Sequence, residues 1–358
     1  MQKVADYIIQ SLGERGIHKI FVVYGAANGD LIDAFTRITS TEYVAVMHEQ
    51  AGGFAAEGYA KVTGLPGVAI ATSGPGGMNF VTPIGNCYYD SVPALFITGQ
   101  INSKFLRPDV SLRQIGFQET DIVSIVKPIT KYAAMLTRPD QVRYELEKAL
   151  YLATQGRPGP VLLDIPLDVQ KQLIDPAALL GFDAQVETLK YDMDQVGRAS
   201  DQFLADLGKA QRPVVMVGGG VKIAGAQKLF IETARKLEIP CFPTWNALDT
   251  VTSDFEFYAG RIGTYGGAGR NFAIQNSDLL LAIGSRISGR ITGGNVRTFA
   301  RAAKKYVVDV DGPQIQKNLQ QVPFDVNIRC DAKLFLEAKN KKRDNFSKTN
   351  GAKDGKKV

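Results

Sequence analysis

Residues 44–100 read VAVMHEQAGGFAAEGYAKVTGLPGVAIATSGPGGMNFVTPIGNCYYDSVPALFITGQ, and this stretch decides the fold. The apolar run that ends at Met47 predicts a buried strand, which turns into an Ala- and Gly-rich helix ending near Gly64. A second apolar run at residues 68–71 predicts another strand, and it leads into the turn TSGPGG at residues 72–77. Small residues in such a turn would let a ligand ring approach the backbone closely.

Glu49 stands at the predicted junction between the first strand and its helix. A carboxylate at the end of a strand is well placed for proton transfer, and a positioned carboxyl contributes about 10²–10⁴-fold to such a step. A surface glutamate that opens a helix fits the same pattern, because the helix dipole favours a negative charge there by about 0.3–1 kcal/mol. Taken alone, Glu49 leaves both interpretations open.

Three ordered blocks in this stretch resemble the pyrimidine-binding domain of thiamine diphosphate (ThDP) enzymes of the acetolactate synthase group. The resemblance implies that Glu49 shares a proton with the aminopyrimidine of the cofactor, so that the cofactor can form its reactive carbanion. The blocks are HEQ at residues 48–50 with small residues and GYA after it, ATSGPG at residues 71–76 followed by Asn79, and DSVPALFITGQ at residues 90–100.

The same resemblance assigns the turn after the second strand to the cofactor. It implies that Pro75, Gly76 and Asn79 lie near the pyrimidine, and we predict that Asn79 stands inside a helix over residues 77–89. A tight turn and a helix N-terminus without a ligand are the alternative.

The segment before this stretch predicts a strand over residues 19–24, which delivers the loop GAANG at residues 25–29. In the acetolactate synthase group the corresponding loop lines the reaction centre, which implies cofactor contacts from Gly25, Asn28 and Gly29. Asn28 and Gly29 stand where the group usually has two glycines. Because Asn tolerates a left-handed backbone, it suits this position, and we expect its side chain to reshape the acceptor pocket.

Residues 113–121, RQIGFQETD, resemble the FQE block that borders the channel to the reaction centre. The resemblance implies that Phe117 is a wall of the channel and that Gln118 is a catalytic residue in polar contact with substrate or cofactor. A Phe in a core and a Gln on a loop are the alternatives. The turn GRPGP at residues 156–160 matches the group too. In flavin-containing members the arginine that matches Arg157 contacts FAD, whereas an arginine on a plain turn fits equally.

The periodic pattern of the first domain ends after residue 164. Residues 165–193 mix Pro, Asp and Gln without sustained periodicity, and we predict an interdomain linker at residues 181–193. The first domain then spans residues 1–180 and the second residues 194–340, with a basic tail at residues 341–358.

In the second domain, a strand over residues 213–217 runs into three glycines, and further strands are predicted over residues 278–283 and 306–310. Ile223 replaces the last glycine of a GxGxxG fingerprint, so a nicotinamide dinucleotide is not favoured. These segments resemble the middle domain of the acetolactate synthase group, where the matching loops cradle FAD, although related ThDP enzymes keep this domain without flavin. The implied cofactor residues are Gly218, Gly219, Gly263, Thr264, Gly284, Ser285, Arg286, Asp309 and Asp311.

The composition is that of an ordinary globular protein, with 45% hydrophobic and 22% charged residues in 358. No apolar run approaches the ~18–20 residues of a membrane span and the N-terminus lacks a signal-peptide profile, so we expect a cytoplasmic protein without membrane contact.

Three distant cysteines and two histidines predict neither a disulfide framework nor a metal site. Of the net charge of +6, a surplus of five comes from residues 336–358, where eight Lys or Arg stand against three Asp or Glu. This distribution predicts a basic tail rather than a nucleic-acid surface.

The resemblance covers about residues 1–340 and implies an α/β protein with two doubly wound parallel-sheet domains, a pyrimidine-binding domain and a Rossmann-like middle domain. Full-length relatives continue into a third domain, whose GDG motif holds Mg²⁺ and the cofactor diphosphate. GDG does not occur in this sequence. We therefore expect a truncated or split chain that works as a homodimer or higher oligomer, or with a partner chain that supplies the third domain.

The resulting hypothesis is a ThDP-dependent carboligase that decarboxylates a 2-oxo acid such as pyruvate and adds the fragment to a second carbonyl compound, as in branched-chain amino acid biosynthesis. One alternative is a flavin- or nucleotide-binding protein that uses the second domain. The other is a non-catalytic interaction subunit that pairs through apolar faces of residues 50–62 and 77–89.

Overall fold

The computed structural model describes residues 1–316 and 322–338, without the side chains of residues 186–187. The chain divides into two compact units, Met1–Leu189 and Lys190–Val358, which we call the N-terminal and C-terminal units. The predicted basic tail, residues 341–358, lies outside the described residues. Within the described ranges, no helix has the length and apolar character needed to span a membrane.

The N-terminal unit alternates strands and helices around a six-stranded sheet. Its strands are β1 (Gln2–Lys3), β2 (Lys19–Val22), β3 (Glu42–Ala45), β4 (Gly67–Ala71), β5 (Ala94–Gln100), β6 (Tyr132–Met135), β7 (Pro160–Pro166) and β8 (Leu173–Ile174). Its α-helices are α1 (Val4–Glu14), α2 (Gly29–Asp33), α3 (Glu49–Thr63), α4 (Pro75–Met78), α5 (Val81–Asp90), α6 (Ile122–Val126), α7 (Val142–Thr154) and α8 (Leu167–Lys171). The sheet order is β3-β2-β4-β5-β7-β6 with every pair parallel, and β1 pairs antiparallel with β8.

Helices cover both faces of this sheet, which is why β4, β5 and β7 are buried along their whole length. On β4, Val68 and Ile70 belong to the core formed with α1 and α7, whereas Ala69 and Ala71 belong to the core formed with α3, α5 and α6. Successive side chains of a strand alternate between the two faces, so a strand buried on both faces is a continuous apolar run. This is the pattern that makes these strands visible in the sequence.

Two expectations for the central stretch are wrong. β3 ends at Ala45 and is largely exposed, because it lies at the edge of the sheet with β2 as its partner, and Met47 beyond it is fully exposed. The helix predicted over residues 77–89 is two helices, α4 and α5, and Asn79 lies between them. Asn79 therefore stands at a helix junction rather than within a helix.

The C-terminal unit is built on a second parallel sheet. Its strands are β9 (Pro213–Val217), β10 (Cys241–Pro243), β11 (Leu279–Ile283), β12 (Lys304–Asp309) and β13 (Val326–Arg329), in the sheet order β10-β9-β11-β12-β13. Its α-helices are α9 (Met193–Leu207), α10 (Gly219–Ile223), α11 (Gln227–Leu237), α12 (Ala268–Gln275) and α13 (Gly289–Thr292), and residues 332–338 are helical as well. The predicted α/β class with two doubly wound parallel-sheet domains is confirmed.

The segment between the two sheets is more ordered than its sequence suggests. α8 and β8 occupy part of residues 165–180, and short 3₁₀ turns follow at Pro176–Ala178 and Ala184–Glu187. α9 begins at Met193, because the Asp192 carboxylate caps it by accepting a hydrogen bond from the Gln195 N–H at 2.9 Å.

Candidate functional site

The carboxyl ends of β2, β4 and β5 meet at one edge of the N-terminal sheet, where open parallel sheets bind ligands. Glu49 is the first residue of α3, beside this edge, and its side chain is partly exposed. His48 precedes it in extended conformation and caps the helix, since its Nδ1 accepts a hydrogen bond from the Gln50 N–H at 3.1 Å. The cap fixes the helix start and places the Glu49 carboxylate in the first turn, where the helix dipole favours its charge.

The Glu49 carboxylate meets the glycine turn after β4. Its Oε2 accepts a hydrogen bond from Asn79 Nδ2 at 2.8 Å. A Cβ atom on Gly76 would lie 2.8 Å from Thr72 Cγ2, which is too close, and 3.4 Å from Glu49 Oε1, so the packing against Thr72 requires a glycine beside the carboxylate. The structure thus brings together Glu49, Gly76 and Asn79. The Asn79 amide holds one oxygen of the carboxylate, and Gly76 places no side chain beside the other.

Gln118 packs over the same turn. Gly74 has φ +60°, and a Cβ there would lie 2.8 Å from Gln118 Cβ and 3.0 Å from the Gln118 carbonyl oxygen. Gln118 itself has φ +64°, a conformation that residues with a side chain rarely adopt. Phe117 beside it is 83% exposed, which excludes the alternative of a core phenylalanine, and Pro75 is exposed at the first position of α4.

The loop after β2 lies against the same edge, but Asn28 does not act as expected. Its side chain is fully buried, with Nδ2 donating to the Val23 carbonyl oxygen at 2.9 Å and Oδ1 accepting from the Gly25 N–H at 2.8 Å. Asn28 has φ −125° and Gly29 has φ −57°, so neither is left-handed. The expectation that the Asn28 side chain reshapes an acceptor pocket is wrong, because its amide is used to hold its own loop.

Gly25 explains how this loop approaches β4. A Cβ atom on Gly25 would lie 2.5 Å from Thr72 Cβ, and the Ala27 N–H donates to Thr72 Oγ1 at 3.1 Å. The loop at residues 25–29 and Gly76 therefore both pack against Thr72.

Arg157 lies at the opposite edge of the sheet. It precedes β7, and its Nε donates to the Ser91 hydroxyl at 2.8 Å just before β5 begins. Within the N-terminal unit it is therefore not part of the group formed by Glu49, Gly76 and Asn79, and its contact with FAD stays a prediction.

The predicted residues of the C-terminal unit gather at the carboxyl edge of its sheet. A Cβ atom on Gly218 would lie 2.1 Å from the Gly284 carbonyl oxygen, and one on Gly263 would lie 2.2 Å from the Arg290 carbonyl oxygen. Close packing of loop on loop thus accounts for these glycines without a ligand. Gly219 lies beside Asn246, and the Thr264 N–H donates to the Arg290 carbonyl oxygen at 2.8 Å. Ser285 is buried, whereas Arg286 is exposed. After β12, Asp309 Oδ1 accepts a hydrogen bond from the Asp311 N–H at 3.0 Å.

The sequence analysis missed an aromatic and cationic cluster at this second edge. The Arg261 guanidinium lies 4.7 Å from the centre of the Trp245 ring, and the Arg290 guanidinium lies 5.8 Å from the centre of the Tyr265 ring. The two rings are 6.1 Å apart, and both are substantially exposed. The sequence did contain a signal for this cluster: a single tryptophan shortly after a strand, and arginines near glycine-rich loops.

Two buried carboxylates of the N-terminal unit were also missed. Glu119 accepts from the Arg107 N–H at 2.8 Å and the Ile115 N–H at 2.9 Å, and so holds the loop before Gln118. Asp164 is wholly buried in β7, and burial raises the pKa of its carboxyl to about 7. An acid inside the apolar run VLLDIP was the signal for it.

Among the described residues, no group of three or more His, Cys, Asp or Glu side chains is placed to hold a metal ion. Cys87, Cys241 and Cys330 are buried free thiols. Burial raises the pKa of the Cys241 and Cys330 thiols to about 12, so they remain protonated at neutral pH.

Comparison with known proteins finds matches in both units. Residues 2–125 match the family described as thiamine pyrophosphate enzyme, N-terminal TPP binding domain, and residues 201–339 match thiamine pyrophosphate enzyme, central domain. The chain is 41% identical over 336 residues to the acetolactate synthase large subunit of Corynebacterium glutamicum, which covers 93% of this chain and 51% of that protein. It is 36% identical over 351 residues to the chloroplastic acetolactate synthase of Arabidopsis thaliana, which covers 96% of this chain and 50% of that protein.

The chain thus spans about half the length of the curated relatives it matches. The two matched segments fall in the two structural units, and each unit has the parallel α/β fold that the resemblance implied. The chain belongs to the thiamine pyrophosphate enzyme family, of which it carries the N-terminal and central domains.

Proposed function

We propose that this chain supplies the pyrimidine-binding side of a ThDP-dependent carboligase of the acetolactate synthase type, which acts on a 2-oxo acid such as pyruvate. The observation that carries the proposal is the Glu49 carboxylate, held by the Asn79 amide beside the side-chain-free position of Gly76. When bound, ThDP supplies the carbon nucleophile that cleaves the 2-oxo acid and passes the fragment to a second carbonyl compound.

Each residue of the group has a role in this proposal. Glu49 holds a proton at the pyrimidine nitrogen, because a carboxylate near the ring can share it. The Asn79 amide fixes the orientation of that carboxylate, and Gly76 leaves space for the ring. Gln118, held over Gly74, is the polar contact to the substrate, and Phe117 is a wall of the channel that leads to it.

The diphosphate of the cofactor needs a further binding region. By resemblance, Mg²⁺ and the diphosphate are bound by a GDG-type domain, a motif that this sequence does not contain. We propose that the site is completed in an oligomer, a dimer being the simplest, by a chain that carries such a domain. Exposed apolar side chains on α3 and α5 support such pairing: Phe54, Tyr88 and Tyr89.

FAD at the C-terminal unit is a further part of the proposal. Loops from three neighbouring strands converge there, and the exposed Trp245 and Tyr265 rings offer stacking surfaces for a flavin or adenine ring. Flavin absorbance of the purified protein, measured with and without added ThDP, tests this part. A role in branched-chain amino acid biosynthesis rests on the resemblance alone.

The test of the main proposal is Glu49→Gln in a complex that contains a diphosphate-binding domain. We expect proton exchange at C2 of the thiazolium ring to fall by about 10²–10⁴-fold, because glutamine cannot share the proton. Glu57→Gln is the matched control: it is the same substitution on the same helix, at a carboxylate that pairs with Lys61 and accepts from Asn86 Nδ2 at 2.7 Å. Unchanged exchange in a folded Glu49→Gln complex removes Glu49 from the reaction.

A further inference from the structure

Asp164 lies at the centre of a buried hydrogen-bond network between β7 and β5. Its side chain is wholly buried, and it stands opposite Thr98 in the parallel register. Thr98 Oγ1 donates to Oδ1 at 2.7 Å, and Gln100 Nε2 donates to Oδ2 at 2.8 Å. Both carboxyl oxygens are therefore bonded, which a buried carboxyl requires if its burial is not to destabilise the fold.

Gln100 extends this network to the segment that contains Gln118. Its Nε2 also donates to the Thr120 carbonyl oxygen at 2.8 Å, and its Oε1 accepts from the Ile101 N–H at 3.0 Å. Thr120 is two residues from Gln118, whose backbone packs on Gly74. A continuous path of contacts thus runs from the Asp164 carboxyl to the glycine turn.

Gln118 needs such support because its φ of +64° is unfavourable for a residue with a side chain. On its other side, the Glu119 side chain anchors the loop through the Arg107 and Ile115 N–H groups. The backbone around Gln118 is therefore held by two buried acids. Glu119, the next residue, acts directly, and Asp164 on β7 acts through Gln100 and Thr120.

We propose that Asp164 is a positioning residue, which acts through Gln100 to hold residues 118–120 against the turn at residues 72–77 and so fixes Gln118 over Gly74. The structural part of this inference stands on the network alone, and its consequence for catalysis rests on the proposed function. Asp164 can hold Gln100 whether its carboxyl is ionised or protonated. The ionised carboxyl accepts from both Thr98 and Gln100, whereas the protonated carboxyl donates to the Thr98 hydroxyl and still accepts from the Gln100 amide. Asp121 is the charged group that acts on Asp164 electrostatically, and it lies 3.6 Å from Arg107.

The test is hydrogen–deuterium exchange of the full chain, read at the amides of residues 118–121. Gln100→Leu removes the link to Thr120, and we expect exchange there to rise on the order of tenfold, the effect of one lost hydrogen bond. Thr98→Val is the matched control, because it removes a hydrogen bond to the same carboxyl without a connection to Thr120, and exchange at residues 118–121 should stay near that of the unmodified chain. Asp164→Ala should behave like Gln100→Leu.

Asp164→Asn separates positioning from a general loss of stability. An asparagine can accept from Gln100 with its oxygen and donate to Thr98 with its nitrogen, so it should restore low exchange. If Asp164→Ala does not fold, Gln100→Leu and Asp164→Asn decide the question. Unchanged exchange in folded Gln100→Leu overturns the proposal, as does equal loosening in Thr98→Val.

Activity of the assembled complex gives an independent result. In Gln100→Leu we expect the KM for the 2-oxo acid to rise while proton exchange at the thiazolium C2 stays near normal, because Glu49 is not moved. If C2 exchange proves insensitive to Glu49→Gln, the proposed function fails, and the exchange data on residues 118–121 still test the role of Asp164.

Discussion

Asp164 is wholly buried, and burial raises the pKa of its carboxyl to about 7, so the fold favours the protonated carboxyl. An aspartate in an unfolded chain has a pKa of about 3.9. Between these values the folded protein binds more protons than the unfolded chain. The contribution of Asp164 to stability is therefore fully present below pH ~4 and is lost as the pH rises through about 7.

The variant Asp164→Asn should remove this pH dependence, because asparagine keeps the hydrogen bonds and does not titrate. We expect the free energy of unfolding of the variant, relative to the unmodified chain, to increase between pH 5 and pH 8 by on the order of a few kcal/mol. Urea denaturation at the two pH values measures it. An equal difference at both would show that Asp164 does not titrate between them.

At the scale of elements, the contact between α3 and α5 depends on one glycine. A Cβ atom on Gly53 would lie 2.4 Å from Pro83 Cγ, which is part of a rigid ring. Gly58, five residues later in the same helix, is exposed and has no atom within 4 Å of its Cβ position. The two glycines thus share one helix but differ in their surroundings.

We predict opposite effects of alanine at these two positions. Gly58→Ala should stabilise the chain by about 0.5–1 kcal/mol, because alanine restricts the unfolded chain and favours the helix. Gly53→Ala should destabilise it by about 1–3 kcal/mol, because the new methyl group forces α3 away from α5. Urea denaturation compares them, and stabilisation by both would mean that α5 shifts to accept the methyl group.

At the scale of the whole molecule, each unit has apolar cores of its own on both faces of its sheet. We therefore predict that residues 1–189 fold alone, with a single cooperative transition in circular dichroism and a dispersed NMR spectrum. A fragment of residues 1–166 is the control. It lacks Val169 and Ile174, which belong to the same core, and the β8 partner of β1, so it should be clearly less stable. Failure of the longer fragment to fold would mean that its cores need the C-terminal unit.

The sequence alone determined the family, the fold class and most central strands. β9 has the predicted bounds and β11 begins one residue later than predicted, because fully buried parallel strands are continuous apolar runs that end in glycine. β6, β10 and β13 were not predicted, since strands of three or four residues show no periodic pattern of their own. β2 is as short, and it was predicted because its apolar run continues to Val23.

Only the tertiary structure decided which of the candidate residues meet. Glu49 and Asn79 are 30 positions apart and share a hydrogen bond, as do Gln100 and Asp164 at 64 positions. The same packing turned Asn28 inward and left β3 exposed at the sheet edge. Strand order and loop packing set these distances, and neither is encoded in the local pattern of apolar and polar residues, which determines elements but not their neighbours.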